Sequence, residues 1–266
     1  MTNSKFVSLV SSWLNDPAKF CVDVFGEQPD NLQKQIFDAI ALNDRVAVRS
    51  GNGPGKTWTA ARIALWFFVT RPNSLVITTA PTWTQVQNLL WKEIRGGIEK
   101  SPILKPFVYM PPRDAELFMV RPDGNYGPGW GCLGRSTDRK ENMQGFHNPY
   151  LMFIVDEASG VDDTIFEAIE GTQTQEGVNT SKMLLIGNPT KDSGYFFEVF
   201  HKRAANWKTF HLDSRKSPRV KKEWIRQMGE EYGEDSNFYQ VHVLGNFPQY
   251  GEDTLIPLHW IEKAVL

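Results

Sequence analysis

SGNGPGKT, residues 50–57, is the stretch of this chain that decides its fold. It follows the short β-type run Arg45–Arg49 and precedes a helical pattern from about Lys56 to Val69, which leads to a second apolar run, Ser74–Thr79. A glycine-rich loop between a strand and a helix is the context in which the pattern G-x-x-x-x-G-K-[ST] binds phosphate. We therefore predict a phosphate loop inside a strand–loop–helix–strand unit.

The residue types in the loop suit a nucleotide. Its glycines let backbone N–H groups turn toward phosphate oxygens, and the helix N-terminus adds partial positive charge. Lys56 is predicted to reach the β- and γ-phosphates, and the Thr57 hydroxyl to bind Mg²⁺. Ser50 replaces the usual first glycine, so the entry turn is expected to differ; the alternative is a glycine-rich turn with a chance GKT. The predicted nucleotide ligands are Ser50, Gly51, Asn52, Gly53, Pro54, Gly55, Lys56 and Thr57.

Two acidic residues follow a buried-type strand further along the chain. The apolar run Leu151–Val155 ends in Asp156 and Glu157, which should emerge at the same sheet edge as the phosphate loop. We predict that Asp156 holds Mg²⁺ through water and that Glu157 orients and deprotonates the attacking water. Taken alone, the pattern also describes a strand that ends in a solvated turn. ATP and Mg²⁺ are the expected ligands of the combined motifs.

A third polar strand end comes next. The run Lys182–Ile186 is followed by Gly187, Asn188, Pro189 and Thr190, which places an amide at the same edge. Asn188 is a candidate contact for the γ-phosphate or the attacking water. A simple Asn-Pro turn after the strand stays open as the alternative.

Composition excludes several classes of protein. The 266 residues are 41% hydrophobic, which supports a sizeable core, and 29 Lys and Arg against 31 Asp and Glu give a net charge of −2. An autonomous DNA-binding domain would be basic, so any DNA contact should be local or shared among subunits. Cys21 and Cys132 are far apart and form no metal motif. The longest apolar run, Ile63–Val69, is too short for a bilayer, so we expect a cytoplasmic protein without a membrane segment.

The remaining pattern indicates an α/β fold. Residues 5–15 and 31–42 read as helices, the second capped by Asp30. Residues 102–148 are rich in Pro, Gly and Arg, carry weaker strands at Leu117–Val120 and Trp130–Leu133, and are interpreted as an elaborated connection at the active edge of the sheet. The alternation of strands and helices predicts a mostly parallel central sheet with helices on both faces.

Six segments resemble, in sequence and order, the ATPase domain of the large terminase subunit of tailed double-stranded DNA bacteriophages, and the resemblance takes in almost all of the chain. They are PDNLQKQIFDAI (29–40), TTAPTWTQV (78–86), QGFHNPYLMFIVDEA (144–158), LLIGNPT (184–190), LGNFP (244–248) and LIPLHWIEKA (255–264). QGFH and GNP are the most family-specific signals. The resemblance implies a P-loop NTPase of the RecA-like (ASCE) type.

The resemblance also implies a function and partners. It is that of an ATP-driven motor that moves double-stranded DNA into a procapsid, working as a homo-oligomeric ring, a pentamer, with the portal protein and the small terminase subunit in the host cytoplasm. Residues 1–254 would form the ATPase domain, with an N-terminal helical segment and a C-terminal lid-like subregion. Residues 255–266 would begin a linker toward a nuclease domain that this chain lacks, so nuclease activity is not expected.

Individual residues acquire roles from the same resemblance. Gln33 matches the family's adenine-reading glutamine, with a solvated helix residue as the alternative, and the GNP motif around Asn188 matches the segment that couples hydrolysis to movement. Many large terminases carry an arginine inside the phosphate loop where this chain has Asn52. Arg49, just outside the loop, is therefore a secondary candidate for phosphate contact, although a strand-end surface charge is an equal alternative.

Ring motors complete each site with an arginine from a neighbouring subunit. Arg135 and Arg139, upstream of the acidic strand, are our candidates, with Arg139 favoured; both also fit solvated loop charges. A basic run could contact DNA phosphates, but such runs are usually solvated faces. It comprises Lys202, Arg203, Lys208, Arg215, Lys216, Arg219, Lys221, Lys222 and Arg226.

Three other functions compete with the packaging motor. A helicase-like translocase shares the phosphate loop, the DE pair and the TAP segment, but generally needs a second motor domain in the same chain. A nucleotide-dependent binding module would bind without productive turnover, and Glu157 argues against it. A small-molecule kinase would need a lid and an acceptor pocket that the sequence does not indicate.

Overall fold

A central sheet of eight strands organises the structure, a computed structural model that describes residues 3–112, 114–174 and 180–249. Within these residues the strands lie in the order β3-β4-β5-β2-β6-β7-β1-β8. The strands are β1 (Arg45–Ser50), β2 (Ser74–Thr79), β3 (Val108–Tyr109), β4 (Glu116–Met119), β5 (Gly131–Gly134), β6 (Tyr150–Asp156), β7 (Thr180–Gly187) and β8 (Lys208–Leu212).

Most neighbouring strands are parallel, as predicted. Strand β1 pairs in parallel with β7 and β8, β6 with β2 and β7, and β2 with β5, whereas β4 runs antiparallel to β3 and β5. The weaker strands predicted within residues 102–148 are present. They widen the sheet beyond β2 instead of decorating its active edge, because β5 pairs with β2 along its length.

Helices surround the sheet. They are α1 (Asn3–Trp13), α2 (Pro17–Phe25), α3 (Asn31–Leu42), α4 (Lys56–Thr70), α5 (Trp83–Gln85), α6 (Trp91–Lys100), α7 (Asp163–Gln173), α8 (Tyr195–Val199), α9 (Lys222–Tyr232) and α10 (Asn237–Tyr239). Two π-helical segments, Val86–Leu90 and Gln240–Leu244, follow α5 and α10. Among the described residues no helix is long and apolar enough to cross a membrane.

Two hydrophobic cores cover the two faces of the sheet. Along β6, Met152 and Ile154 belong to the core that includes α1, α2, α3, α4 and α6, while Phe153 and Val155 belong to the core that includes α7 and α8. Helix α4 is buried almost all round because it also contacts α1, α2 and α6. The loop at its N-terminus is thereby fixed on a rigid element.

Candidate nucleotide-binding site

The phosphate loop joins β1 to α4 at the carboxyl edge of the sheet. Gly53 and Gly55 have positive φ values of 89° and 92°, a backbone region that favours glycine. A Cβ atom on Gly55 would lie 2.9 Å from Nε2 of Gln33, and one on Gly53 would lie 2.9 Å from Cγ2 of Val220. Neighbouring side chains thus press closely on the loop from two other parts of the chain.

The first half of the loop is held by the C-terminal part of the chain. The Gly51 N–H donates to the carbonyl oxygen of Leu212 at 2.9 Å, and the Asn52 N–H donates to that of His242 at 2.6 Å. The Ser214 hydroxyl donates to the carbonyl oxygen of Asn52 at 2.7 Å. Pro54 has no N–H. The backbone donors left for a phosphate are therefore those of Gly53, Gly55, Lys56 and Thr57, the last two at the open start of α4.

Lys56 is buried at the centre of the site. Its ammonium group donates to the carbonyl oxygen of Gly51 at 3.1 Å and to Oδ1 of Asn188 at 2.9 Å, and it lies 4.0 Å from Oε1 of Glu157. Burial lowers the pKa of Lys56, while the charges of Glu157 and Asp156 oppose that shift. The side chain has only neutral oxygens in direct contact, so an anionic phosphate would be a stronger partner.

Asp156 ends β6 and is fully buried beside Thr57. Burial and the charge of Glu157 raise the pKa of Asp156 to about 7, against the opposing effects of Lys56 and a hydrogen bond with Thr57. Mg²⁺ prefers hard oxygen ligands and is usually held by one or two carboxylates together with substrate phosphates. The Asp156 carboxyl and the Thr57 hydroxyl fit that requirement, and a cation would relieve the cost of ionising a buried acid.

Glu157 adopts an unusual backbone conformation. Its φ of 49° lies in the left-handed region, which is uncommon for a residue other than glycine and recurs at functional sites. Its Oε2 accepts a 3.2 Å hydrogen bond from the Asn188 N–H. A Cβ atom on Gly187 would lie 2.9 Å from Cα of Glu157, so glycine is needed there. The carboxylate is partly exposed and aimed toward the loop.

Asn188 connects the three motifs. Besides accepting from Lys56, its side chain donates to the carbonyl oxygen of Ser50 at 2.7 Å, and its backbone N–H holds Glu157. It is only 7% exposed. The structure therefore brings together the phosphate loop, the acidic strand end and the GNP segment, as the sequence predicted, although the role of each residue stays a prediction.

Gln33 is also buried at the loop. Its amide and the carboxylate of Asp30 form a capping box at the start of α3, and its Oε1 accepts a 2.8 Å hydrogen bond from Nη2 of Arg219. Arg219 also pairs with Asp30 at 3.1 Å. We had assigned Arg219 to the basic run, not to the site. Nothing in its local sequence indicates this position, because the contact joins residues 186 apart in the chain.

The candidate arginines have different surroundings. Arg49 donates to the carbonyl oxygen of Gly245 at 2.6 Å and to Oδ1 of Asn246 at 3.0 Å, so its guanidinium faces the C-terminal segment. Its predicted phosphate contact stays a prediction. Arg135 pairs with Glu116 at 3.2 Å. Arg139 is exposed, and its side chain has no ion pair with the described residues.

The basic run is largely neutralised within the chain. Five of its nine members form ion pairs with nearby acids: Lys202 and Arg203 with Glu198, Arg215 with Asp213, Arg219 with Asp30, and Arg226 with Glu223. Such pairing favours the solvated-face interpretation over a continuous DNA-binding patch. The predicted linker, residues 255–266, lies outside the described residues.

Comparisons with known proteins agree with this geometry. The chain is 28% identical over 279 residues to the probable terminase large subunit of Enterobacteria phage P7, which covers 99% of this chain and 55% of the relative, so the chain spans about half of that protein. The fold matches the large terminase ATPase domain of Thermus phage P74-26, with a TM-score of 0.71 at 20% identity over 87% of this chain and 98% of that one.

Two further large terminases share the fold. The one from bacteriophage HK97 gives a TM-score of 0.65 at 18% identity, over 93% of this chain and 56% of that one. One from a thermophilic bacteriophage, in complex with ADP, gives 0.59 at 15% identity, over 92% and 53%. A family model described as "Terminase large subunit, T4likevirus-type, N-terminal" matches residues 49–263. The resemblance predicted from the motifs is thus confirmed, and the chain belongs to the family of T4likevirus-type terminase large subunits, of which it matches the N-terminal region.

Proposed function

We propose that this chain binds ATP with Mg²⁺, hydrolyses it, and acts as the motor domain of a viral DNA-packaging terminase. The observation that carries the proposal is the convergence of Lys56, Asn188 and Glu157, which lie within 4.0 Å of one another at the phosphate loop. Family membership supports it. So do the structures of the thermophilic bacteriophage's large terminase, which include complexes with ADP and ATP-γ-S.

Binding would exchange the present partners of Lys56 for phosphate. The N–H groups of Gly53, Gly55, Lys56 and Thr57 would donate to phosphate oxygens, and the Lys56 ammonium would move from the Gly51 carbonyl toward the β- and γ-phosphates. Thr57 and Asp156 would hold Mg²⁺, which when bound neutralises charge on those phosphate oxygens. Asn188, losing Lys56 as a donor, would be free to contact the γ-phosphate or the attacking water.

Glu157 would act as the general base. Its carboxylate accepts the proton of a water whose oxygen forms a bond to the γ-phosphorus, while the bond from that phosphorus to the bridging oxygen breaks and ADP leaves. The Asn188 N–H, which holds Oε2 at 3.2 Å, leaves Oε1 available to the water. Asn188 thus acts as a positioning residue for Glu157.

An arginine from a neighbouring copy would stabilise the transition state. Arg139 is favoured over Arg135, since Arg135 is already paired with Glu116 while Arg139 is exposed. Such an arginine contributes roughly 10³ to 10⁵ in rate in related enzymes. This requirement is met in a homo-oligomeric ring, and we propose a pentamer.

The remaining parts of the proposal follow from the family. The ring would move double-stranded DNA into a procapsid with the portal protein and the small terminase subunit, in the cytoplasm of the infected host. Contacts with DNA would be shared among subunits, in keeping with a net charge of −2. Residues 1–254 would form the ATPase domain, and nuclease activity is not expected of this chain.

Phosphate release from ATP, measured over a protein concentration series with and without double-stranded DNA, tests the proposal. Glu157→Gln should lower turnover by about 10²- to 10⁴-fold while ATP still binds. Glu167→Gln, which changes an exposed acid on α7, is the matched control and should retain full turnover. ATP binding without turnover at any concentration would favour a nucleotide-dependent binding module, and strand separation coupled to turnover would favour a helicase-like translocase.

A further inference from the structure

The amide of Gln33 is fixed in one orientation. Its Oε1 faces the Asp30 N–H at 3.1 Å and Nη2 of Arg219 at 2.8 Å. Both partners are donors, so the atom that faces them must be the carbonyl oxygen and not the amide nitrogen. With two hydrogen bonds, both lone pairs of that oxygen are in use.

The other end of the same amide is an unused donor. Nε2 of Gln33 is buried and has no hydrogen-bond partner among the described residues, although the side chain is only 2% exposed. It faces the phosphate loop, where a Cβ on Gly55 would lie 2.9 Å from it. Buried donors are almost always satisfied in folded proteins, so this one indicates a partner that binds from outside the chain.

Arg219 is the residue that keeps the carbonyl occupied. It reaches α3 from the segment after Ser214–Lys216, pairs with Asp30, and lies over the ring of Trp58 at 5.7 Å. Its side chain is 41% exposed, so it can leave Gln33 without disrupting a core. The orientation of a buried glutamine therefore depends on a surface arginine.

Purine bases distinguish the two possible states of this amide. One edge of adenine presents the N7 acceptor beside the N6 donor, and a glutamine with a free carbonyl and a free N–H reads both. The same edge of guanine presents two acceptors, N7 and O6. A glutamine that offers only N–H donors can bind N7 of either base and gains nothing from the adenine amino group.

We propose that Arg219 sets the base selectivity of the nucleotide site: by occupying the carbonyl of Gln33 it leaves only amide donors for a purine, and adenine and guanine nucleotides bind alike. The proposal rests on the nucleotide binding proposed above. It names the base class accepted by the site and a residue outside the phosphate loop that determines it.

Calorimetric titration of the full chain with ADP, GDP and 7-deaza-ADP tests this without hydrolysis. The dissociation constants of ADP and GDP should agree within about 3-fold, and 7-deaza-ADP, which lacks N7, should bind about 5- to 10-fold more weakly. In Arg219→Met the carbonyl is free, and ADP should bind about 5- to 10-fold more tightly than GDP. Lys221→Met, an exposed cation two residues away, is the matched control and should leave the ratio unchanged.

The outcomes separate the two proposals. Equal binding of ADP and 7-deaza-ADP, a preference of the unmodified chain for ADP above about 10-fold, or an unchanged ratio in Arg219→Met would each overturn the base-selectivity proposal while leaving nucleotide binding intact. Binding of none of the three diphosphates would overturn nucleotide binding itself, and the selectivity proposal with it. The 7-deaza-ADP comparison uses the unmodified chain and so does not depend on the folding of a variant.

Discussion

Gly187 and Glu157 illustrate how single residues determine the active geometry. The left-handed backbone of Glu157 brings its Cα to within 2.9 Å of the position that a Cβ on Gly187 would occupy, and the Ala158 nitrogen is equally close. Both atoms belong to the backbone, so they cannot move aside at low cost. Asn188 follows directly and holds the Glu157 carboxylate. A change at Gly187 should therefore be felt at both residues.

Gly187→Ala should lower the free energy of unfolding by about 1–3 kcal/mol, because the added methyl group overpacks a buried backbone contact. ATP turnover should fall more than ATP affinity, since Glu157 is displaced while the loop is not. Urea denaturation and phosphate release measure the two effects. Gly171→Ala is the control with the opposite sign: on the exposed face of α7 it meets no atom within 4 Å and should stabilise by about 0.5–1 kcal/mol. Equal stability changes in the two variants would contradict the close contact.

Asn188→Ala removes the hydrogen bonds that the side chain makes to Lys56 and Ser50. The buried Ser50 carbonyl loses a donor, so the free energy of unfolding should fall by about 1–3 kcal/mol, as measured by denaturant titration. Asn206→Ala, at an exposed asparagine, is the control and should change stability by no more than about 0.5 kcal/mol. A stability loss no larger than that of the control would show that the bridge between the motifs contributes little.

The site residues that sequence patterns predicted share one property. The loop, Asp156 with Glu157, and Asn188 each directly follow a buried parallel strand, and the carboxyl ends of such strands meet at one edge. Arg219 and His242 lie in the C-terminal part, and their approach to the loop depends on tertiary packing between distant segments. No local pattern encodes such contacts.

The same reasoning applies to whole elements. Strands β1, β2, β6 and β7 are covered on both faces and therefore read as continuous apolar runs, which made them predictable. Edge strand β8 reads KTFHL and is mostly exposed, so it has no such run. Helix α2 was missed although its signals were present: Asp16 caps it, Pro17 opens it, and Gly26 ends it with a left-handed conformation.

Arg49 connects strand β1 to the C-terminal segment. Its guanidinium donates to Gly245 and Asn246 and lies 5.6 Å from the ring centroid of Phe247. Arg49→Met keeps an unbranched side chain but removes the donors. Hydrogen exchange, followed by mass spectrometry, should become about 10-fold faster in residues 245–249, because local opening loses about one or two hydrogen bonds.

Lys34→Met, at an exposed position on α3, is the control for this element-scale prediction and should not change exchange in residues 245–249. Exchange elsewhere in the sheet should be unaffected in both variants, since Arg49 contributes no core packing to the central strands. Unchanged exchange at residues 245–249 in Arg49→Met would show that the backbone contacts of Gly51 and Asn52 suffice to hold the segment.

At the scale of the whole molecule, the proposed mechanism requires a second copy to complete the site. The residues around Lys56 supply donors for phosphate and a base for water, and the exposed Arg139 is unpaired among the described residues. An exposed cation contributes little to stability, so Arg139→Ala should leave the unfolding midpoint unchanged. Its contribution is expected only where another copy docks.

A mixing experiment tests whether Arg139 acts across subunits. Arg139→Ala and Glu157→Gln should each lose most ATP turnover when assayed alone. In an equal mixture, random assembly pairs an intact Glu157 with an intact Arg139 from the next copy at about a quarter of the interfaces, so turnover should rise well above either variant. The gain should disappear on dilution, because assembly obeys mass action. A mixture whose turnover is only the average of the two variants would place Arg139 in the same chain as the base it serves, or outside the site altogether; Arg135→Ala in the same mixture would then decide whether the other loop arginine takes that role.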